Sequence, residues 1–278
     1  MNREIKKKII GISAPQSELA KLFLSKYKKK FIFLPYRDNI NNYVDFTKWL
    51  HKHKNINSFI NFAALTNTIH CEKNKKLTLL TNFKSVIKLI KIIDQNKLRN
   101  FDYFLTLSTC HVFGKSKKKL NEDSTKKPNN FYGYSKLLLE KWILKNSHKY
   151  NFNIGIGRIF NYYTPSNKNF FINDVIKKLK SNTSIASFVG VDTYRDYISN
   201  KDLLNALYFM LNNKLQNDYN ICSGRKISLK KIVKTVNFRY KKKIMFIDTK
   251  NKNLIGDNSK LKKMGFKFNS NFNLNKIV

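Results

Sequence analysis

The sequence predicts an α/β protein built on a parallel sheet, and three observations predict it. Short apolar runs of strand length alternate with segments whose apolar residues recur at helical spacing, along nearly the whole chain. The first such run ends in Gly11, and Ala14 and Ser17 follow before the first helical segment. A strand, a tight turn and a helix at the head of an α/β chain is where a dinucleotide-binding fold places its phosphate loop. Finally, 278 residues with 42% hydrophobic content suffice for one large core, as a single α/β domain or a domain with a smaller lobe.

The elements follow in order. Lys6 to Ile12 reads as the first strand, and Ser17 to Tyr27, with Leu19, Leu22, Phe23 and Leu24, as a helix. Glycine suits the intervening turn because the backbone can approach phosphate and the helix can pack on the strand. Ala14 and Ser17 keep part of that ability, and a plain strand-to-helix turn is the competing reading. Lys30 to Pro35 is a second strand followed by Tyr36-Arg37-Asp38. A residue after this strand meets the adenosine ribose in such folds, and Arg37 favours the extra phosphate of NADP unless it is a surface charge. Val44 to Lys54 reads as a short helix and Ile56 to Ala64 as a buried strand. Asn82 opens a helix from Phe83 to Asp94, where capping is its simplest role.

Phe101 to Thr109 is the next strand, and strand alternation puts Thr109 and His111 on one side with Cys110 turned away. Tyr132 and Lys136 are four apart and share a face if their segment is helical. An ammonium beside a phenol favours the phenolate and makes the tyrosine an acid or base near neutrality. Thr109 can share the same substrate oxygen. The bare spacing also arises by chance in a chain with 14 Tyr and 55 Lys plus Arg. His111 is either a group titrating near neutral pH or a side chain that hydrogen-bonds its loop.

Two motifs in order sharpen this. Ser108-Thr109-Cys110-His111-Val112-Phe113-Gly114, then Glu122-Asp123, Pro128 and Tyr132-Gly133-Tyr134-Ser135-Lys136 running to Glu140, resemble the active-site region of the extended short-chain dehydrogenase/reductases, the NAD(P)-dependent nucleotide-sugar epimerase/dehydratase family. Ile60-Asn61-Phe62-Ala63-Ala64-Leu65-Thr66 resembles a third signature of that family, and the stretch through Cys71-Glu72 to Thr81-Asn82 is similar to its dTDP-4-dehydrorhamnose reductase branch. Arg158 to Pro165, Arg195-Asp196-Tyr197-Ile198, Tyr219 to Gly224, and Asp257 to Phe266 extend the resemblance over nearly the whole chain.

The resemblance implies a Rossmann-type doubly wound sheet over residues 1–163 and a small C-terminal α/β nucleotide-sugar lobe over 164–278, interleaved with it. It implies NAD or NADP held by Gly11, Ala14, Ser17, Arg37, Ala63, Ala64, Asn82, Tyr132 and Lys136. Thr109, Tyr132 and Lys136 would be the catalytic triad, with His111 beside them, and Thr109, Asn161 and Arg195 would bind the substrate, Arg195 at its diphosphate. The phosphate loop and Thr164 depart from the family pattern. The dehydratases keep an Asp-Glu pair where Cys110 and His111 stand, which argues against dehydration. Epimerase and 4-keto reductase remain open, as does a sugar-nucleotide binder that has lost catalysis.

The formal charge of +38 invites a nucleic-acid reading, but runs such as Lys28 to Lys30, Lys117 to Lys119 and Lys241 to Lys243 are dispersed. Solvated faces and no specific nucleic-acid partner are expected. No apolar run approaches the roughly 20 residues of a membrane helix, and Met1 to Lys8 shows no signal-peptide pattern. The expectation is a cytoplasmic protein without a membrane partner. Cys71, Cys110 and Cys222 are too scattered for a disulfide framework or a metal site, and no metal is expected. The family resemblance implies that a homodimer is possible, with the helix from Tyr132 to Leu144 as the candidate contact, which light scattering would test.

Overall fold

In the computed structural model, which describes residues 7–114, 116–166, 170–249 and 253–274, the alternation of strand and helix resolves in chain order. Lys6, with which the first strand was expected to begin, lies outside the described residues. The chain runs β1 (Lys8–Ser13), α1 (Glu18–Tyr27), β2 (Phe31–Tyr36), α2 (Tyr43–Lys52), β3 (Ser58–Asn61), α3 (Thr68–Lys73), α4 (Lys75–Leu79), a π-helical turn Leu80–Lys84, and α5 (Ser85–Gln95). It continues through β4 (Tyr103–Thr109), α6 (Phe131–Asn146), β5 (Asn153–Ile159), α7 (Phe171–Lys180), β6 (Ile185–Val189), β7 (Tyr194–Arg195) and α8 (Asn200–Asn213). The last elements are β8 (Asn217–Ile221), β9 (Ile227–Ser228), α9 (Leu229–Tyr240), β10 (Lys243–Ile247) and α10 (Ser259–Lys263).

The main sheet has six strands in the order β2-β1-β3-β4-β5-β8. β1 pairs in parallel with β2 on one side and β3 on the other, and β3 pairs in parallel with β4. The strand order therefore reverses at β1, the hallmark of a doubly wound sheet, whose ligands bind where the carboxyl ends of the diverging strands open a crevice. Ser13 of β1 and Asn61 of β3 are register partners at that point. This is the Rossmann-like fold that the sequence predicts.

Two compact units divide the chain. The first comprises residues 1–112, 128–157 and 207–218. Its core joins Phe46 and Leu50 of α2, Phe59 of β3, Phe104 of β4, Leu89, Ile90 and Ile93 of α5, and Leu139 and Ile143 of α6. Phe59 stacks on Phe104 with ring centroids 5.6 Å apart and meets Phe46 edge to face at 5.5 Å. This packing also explains Gly11: a Cβ there would lie 2.5 Å from the Phe59 ring. The glycine serves the fit of strand against aromatic core.

The second unit comprises residues 113–127, 158–206 and 219–278. β6 and β10 form a parallel pair, and Ala186 and Phe188 pack with Ile172, Val175 and Leu179 of α7 and Ile232, Val233 and Val236 of α9. β7 and β9 pair antiparallel. Arg158 is fully buried, with its guanidinium 4.8 Å from the centre of the Phe113 ring and Nη1 donating to Asn220 Oδ1 at 2.9 Å.

Candidate active site

β4 stops at Thr109, two residues before His111. Cys110–Val112 form a single 3₁₀ turn instead, so the alternation argument for His111 does not apply. The turn nevertheless brings His111 against α6. Its ring centroid is 5.8 Å from that of Tyr132, with the planes at 61°. The His111 N–H donates to Thr109 Oγ1 at 3.2 Å, and Asn130 Nδ2 lies 2.9 Å from His111 Nδ1.

The same asparagine starts α6. Asn130 is its N-cap, and Oδ1 accepts from the Gly133 N–H at 2.8 Å. The Phe131 N–H, another donor that a helix start leaves unsatisfied, donates to Glu72 Oε1 at 2.6 Å. Gly133 lies against the turn so closely that a Cβ would collide with the carbonyl oxygen of His111. Tyr132 is thus set by a capped helix start wedged against the turn that follows Thr109.

Lys136 stands one turn on from Tyr132, only 2% exposed. Its Nζ donates to the Leu107 carbonyl at 2.9 Å, which ties the ammonium to β4 two residues before Thr109. Burial pushes its pKa down from 10.5 to about 8, against the charges of Glu140 and Cys71, which hold it up. Glu140, one further turn along, is 1% exposed and accepts a 2.5 Å hydrogen bond from Ser108 Oγ. In the sequence Glu140 stands only as the last residue of a motif. Its spacing, four beyond Lys136 and eight beyond Tyr132, is the signal that places the three on one face.

The switch point gathers other predicted residues. Ser13 Oγ donates to Asn61 Oδ1 at 2.6 Å and accepts from the N–H groups of Phe62 and Ala63 at 3.1 and 3.2 Å, which shapes the turn leading to Ala64. Asn82 does not cap a helix. It is fully buried inside the π-helical turn, where Oδ1 accepts from Leu65 N–H at 2.8 Å and Nδ2 donates to Leu65 O at 2.9 Å and Ser135 Oγ at 3.1 Å. Ser135 Oγ in turn donates to Tyr132 O at 2.7 Å. Asn82 therefore couples the loop after β3 to the first turn of α6, a link that local spacing does not reveal. π-Turns concentrate at functional sites.

On β1 the turn passes through Ala14, whose φ of 46° is the left-handed conformation that glycine adopts freely and alanine at a cost. Ser17 is the N-cap of α1, yet its side chain makes no cap bond, and its Oγ is shut off from solvent without a hydrogen-bond partner. Arg37 is exposed just past the end of β2.

Asn161 and Arg195 belong to the second unit. Asn161 donates from its backbone N–H and Nδ2 to the Asp196 carbonyl at 3.1 and 2.9 Å. Arg195 Nη1 donates to Thr193 Oγ1 at 2.8 Å and Tyr194 O at 2.9 Å. Between them Asp196 is fully buried, its carboxylate accepting from Ser223 N–H and Oγ, Gly224 N–H and Gly256 N–H at 2.7 to 3.3 Å. Burial raises its pKa and these bonds oppose the rise. Asp196 fixes the backbone from which Arg195 projects. Among the described residues no cluster of His, Cys, Asp and Glu suits a metal ion.

A dinucleotide fold whose switch point adjoins a tyrosine and lysine on one helix face defines a class of nicotinamide-dependent enzymes. The chain belongs to the NAD dependent epimerase/dehydratase family, whose model matches residues 10–222. A dTDP-4-dehydro-6-deoxyglucose reductase of Escherichia coli is 27% identical over 194 residues, 68% of this chain and 61% of that protein. The match thus spans less than two thirds of that relative's length. Among solved structures, RMD from Pseudomonas aeruginosa complexed with NADPH superposes with a TM-score of 0.83 at 17% identity, covering 97% of this chain and 96% of that one. The UDP-glucose 4-epimerase of Thermus thermophilus, in complex with NAD, gives 0.81 at 13% identity with the same coverage. A dTDP-4-dehydrorhamnose reductase of Clostridium acetobutylicum gives 0.77 at 20% identity, over 92% of both chains. At these identities the structural likeness speaks for the fold.

Proposed function

We propose that the protein is an NAD(P)-dependent enzyme that oxidises or reduces a nucleotide-activated sugar at a carbonyl or hydroxyl carbon. One observation carries this reading: Tyr132 and Lys136 share a face of α6, and the Lys136 ammonium, buried and tied to Leu107 O, lies under the strand end that presents Thr109. Bound nicotinamide would supply or accept the hydride. Tyr132 gives the sugar oxygen its proton or takes it away, Lys136 favours the phenolate, and Thr109 donates a hydrogen bond to the same oxygen. His111 faces Tyr132 and is a second acid or base for the site. Asn161 and Arg195 hold the substrate, Arg195 at its diphosphate.

The residues at the switch point fit a dinucleotide. The Ser17 hydroxyl is buried without a partner at the mouth of α1, and Ala14 keeps the left-handed turn there. Gly11 supports this loop from the core side, while Ala63, Ala64 and Asn82 line the neighbouring turn. Arg37 favours NADP over NAD.

Epimerase and reductase differ in cofactor balance, since an epimerase re-reduces its own intermediate and consumes no net cofactor. The E. coli relative favours a 4-keto reductase as the second reading. The test is turnover of a dTDP-4-keto sugar with NADPH and of UDP-glucose with NAD, by wild type and Tyr132→Phe. Loss of the acid or base should cost about 10²–10⁴-fold in rate with the fold intact. A variant that keeps most of its rate sinks the assignment, and a folded wild type that binds neither NADH nor NADPH leaves a sugar-nucleotide binder without catalysis.

A further inference from the structure

α6 begins without an anion of its own. Its first turn, Phe131-Tyr132-Gly133-Tyr134, holds no acidic residue, although a helix N-terminus favours one. In a capping box the third helical position carries Glu or Gln, and here that position is Gly133, where a side chain would run into the His111 carbonyl. The carboxylate comes instead from another element. Glu72, exposed on α3, accepts from the Phe131 N–H at 2.6 Å, although Lys73, Lys75 and Lys76 follow it closely in the sequence.

α3 is itself fastened to its surroundings. Asn67 caps its start, with Oδ1 accepting from the His70 N–H at 2.9 Å, and Cys71 Sγ, one residue before Glu72, donates to Leu65 O at 3.5 Å. Leu65 directly follows the Ala63-Ala64 turn. Just past α3, Lys75 Nζ stands 5.5 Å from the centre of the Phe131 ring. The N–H groups of Phe131 and Gly133 are thus held by the side chains of Glu72 and Asn130, and Tyr132 lies between them. A helix start whose donors lose such partners frays.

We propose that Glu72 is a positioning residue: its carboxylate clamps the first turn of α6 to the helix that follows the Ala63-Ala64 turn, and so keeps the Tyr132 phenol in place for proton transfer. The inference rests on the role of Tyr132 proposed above and deepens it. Glu72 acts through the Phe131 N–H, so its loss lowers kcat and leaves the binding of cofactor and sugar as they are.

The test compares wild type with Glu72→Ala and Glu72→Gln in turnover of whichever substrate wild type accepts, the dTDP-4-keto sugar with NADPH or UDP-glucose with NAD, in titration with that dinucleotide, and in amide hydrogen exchange of the unliganded proteins. Glu72→Ala should lower kcat by about 10–10²-fold, the scale of a reacting group misplaced by about 1 Å or less, with the sugar KM and the dinucleotide affinity unchanged. Exchange should speed up at residues 131–136 and stay as it is in β4. Glu72→Gln keeps an acceptor oxygen for the Phe131 N–H and should restore most of the rate. A Glu72→Ala protein with wild-type kcat and wild-type exchange overturns the proposal. So does a loss of rate with faster exchange throughout the first unit and no rescue by glutamine, which makes Glu72 a prop of the fold only. If wild type turns over neither sugar, the proposed reaction falls and exchange still decides the clamp, which stands if Glu72→Ala loosens residues 131–136 alone and falls if it does not.

Discussion

Below about pH 8 the Lys136 ammonium is charged and almost wholly buried, and the fold tolerates it because Leu107 O accepts its proton and Glu140 and Cys71 hold its pKa up. The sign of the linkage follows from the lowered value. Between the folded pKa of about 8 and the ordinary 10.5 the unfolded chain binds more protons than the folded one, so this group's contribution to stability rises with pH across that window. Below it both states are charged and the full burial penalty applies. Proposed activity runs the other way, since the phenolate of Tyr132 needs the cation. The basic limb of the pH–rate profile should therefore fall near pH 8. Glu140→Gln removes the larger of the two charges that raise the Lys136 pKa, and the limb should move to lower pH. A limb that stays in place in a folded Glu140→Gln variant would show that another group titrates there.

At the scale of elements, α6 is placed by contact between its first turn and the turn after β4. Gly133→Ala inserts a methyl against the His111 carbonyl, and backbone on both sides has no flexible end to yield. Such overpacking typically costs about 1–3 kcal/mol, the scale expected in urea unfolding, although alanine is otherwise the better helix former. Turnover should fall as well, because relief of the clash carries Tyr132 away from Thr109. An alanine variant as stable and active as wild type would remove the wedge from the account of the site. Contacts of this kind also mark what the sequence discloses. The β1–turn–α1 unit and the Tyr132–Lys136 face were legible because each depends on spacing within a few residues. The coupling that Asn82 makes was not, since its partners Leu65 and Ser135 lie 17 and 53 residues away and a π-turn leaves no periodic trace. The strand ends at Thr109 as read, but alternation does not extend past it, because Cys110–Val112 form a 3₁₀ turn fixed partly by the His111 N–H hydrogen bond to Thr109. Ser17 could be read as small but not as unpaired, and Asp196 as part of a motif but not as the acceptor of four converging donors.

For the whole molecule the dominant physical fact is 55 Lys and Arg against 17 Asp and Glu. Even if every carboxylate paired, most of the basic side chains would face others of their own sign. The ion pairs observed, such as Lys214 with Asp102 at 2.6 Å and Lys230 with Asp248 at 2.7 Å, are partly exposed and add little. Net charge of this size strains the compact state by self-repulsion, and salt relieves the strain by shortening the screening length from roughly 30 Å at 0.01 M to 10 Å at 0.1 M. The melting temperature should accordingly rise with sodium chloride, by about 2–4 °C per kcal/mol relieved. The same field draws anions inward, so the association rate of NADPH should fall over the same range. The two slopes have opposite signs and one origin. A melting temperature that drops with salt while association also slows would mean that attractive pairs outweigh repulsion in the folded chain, leaving the excess charge to act only on arriving ligands.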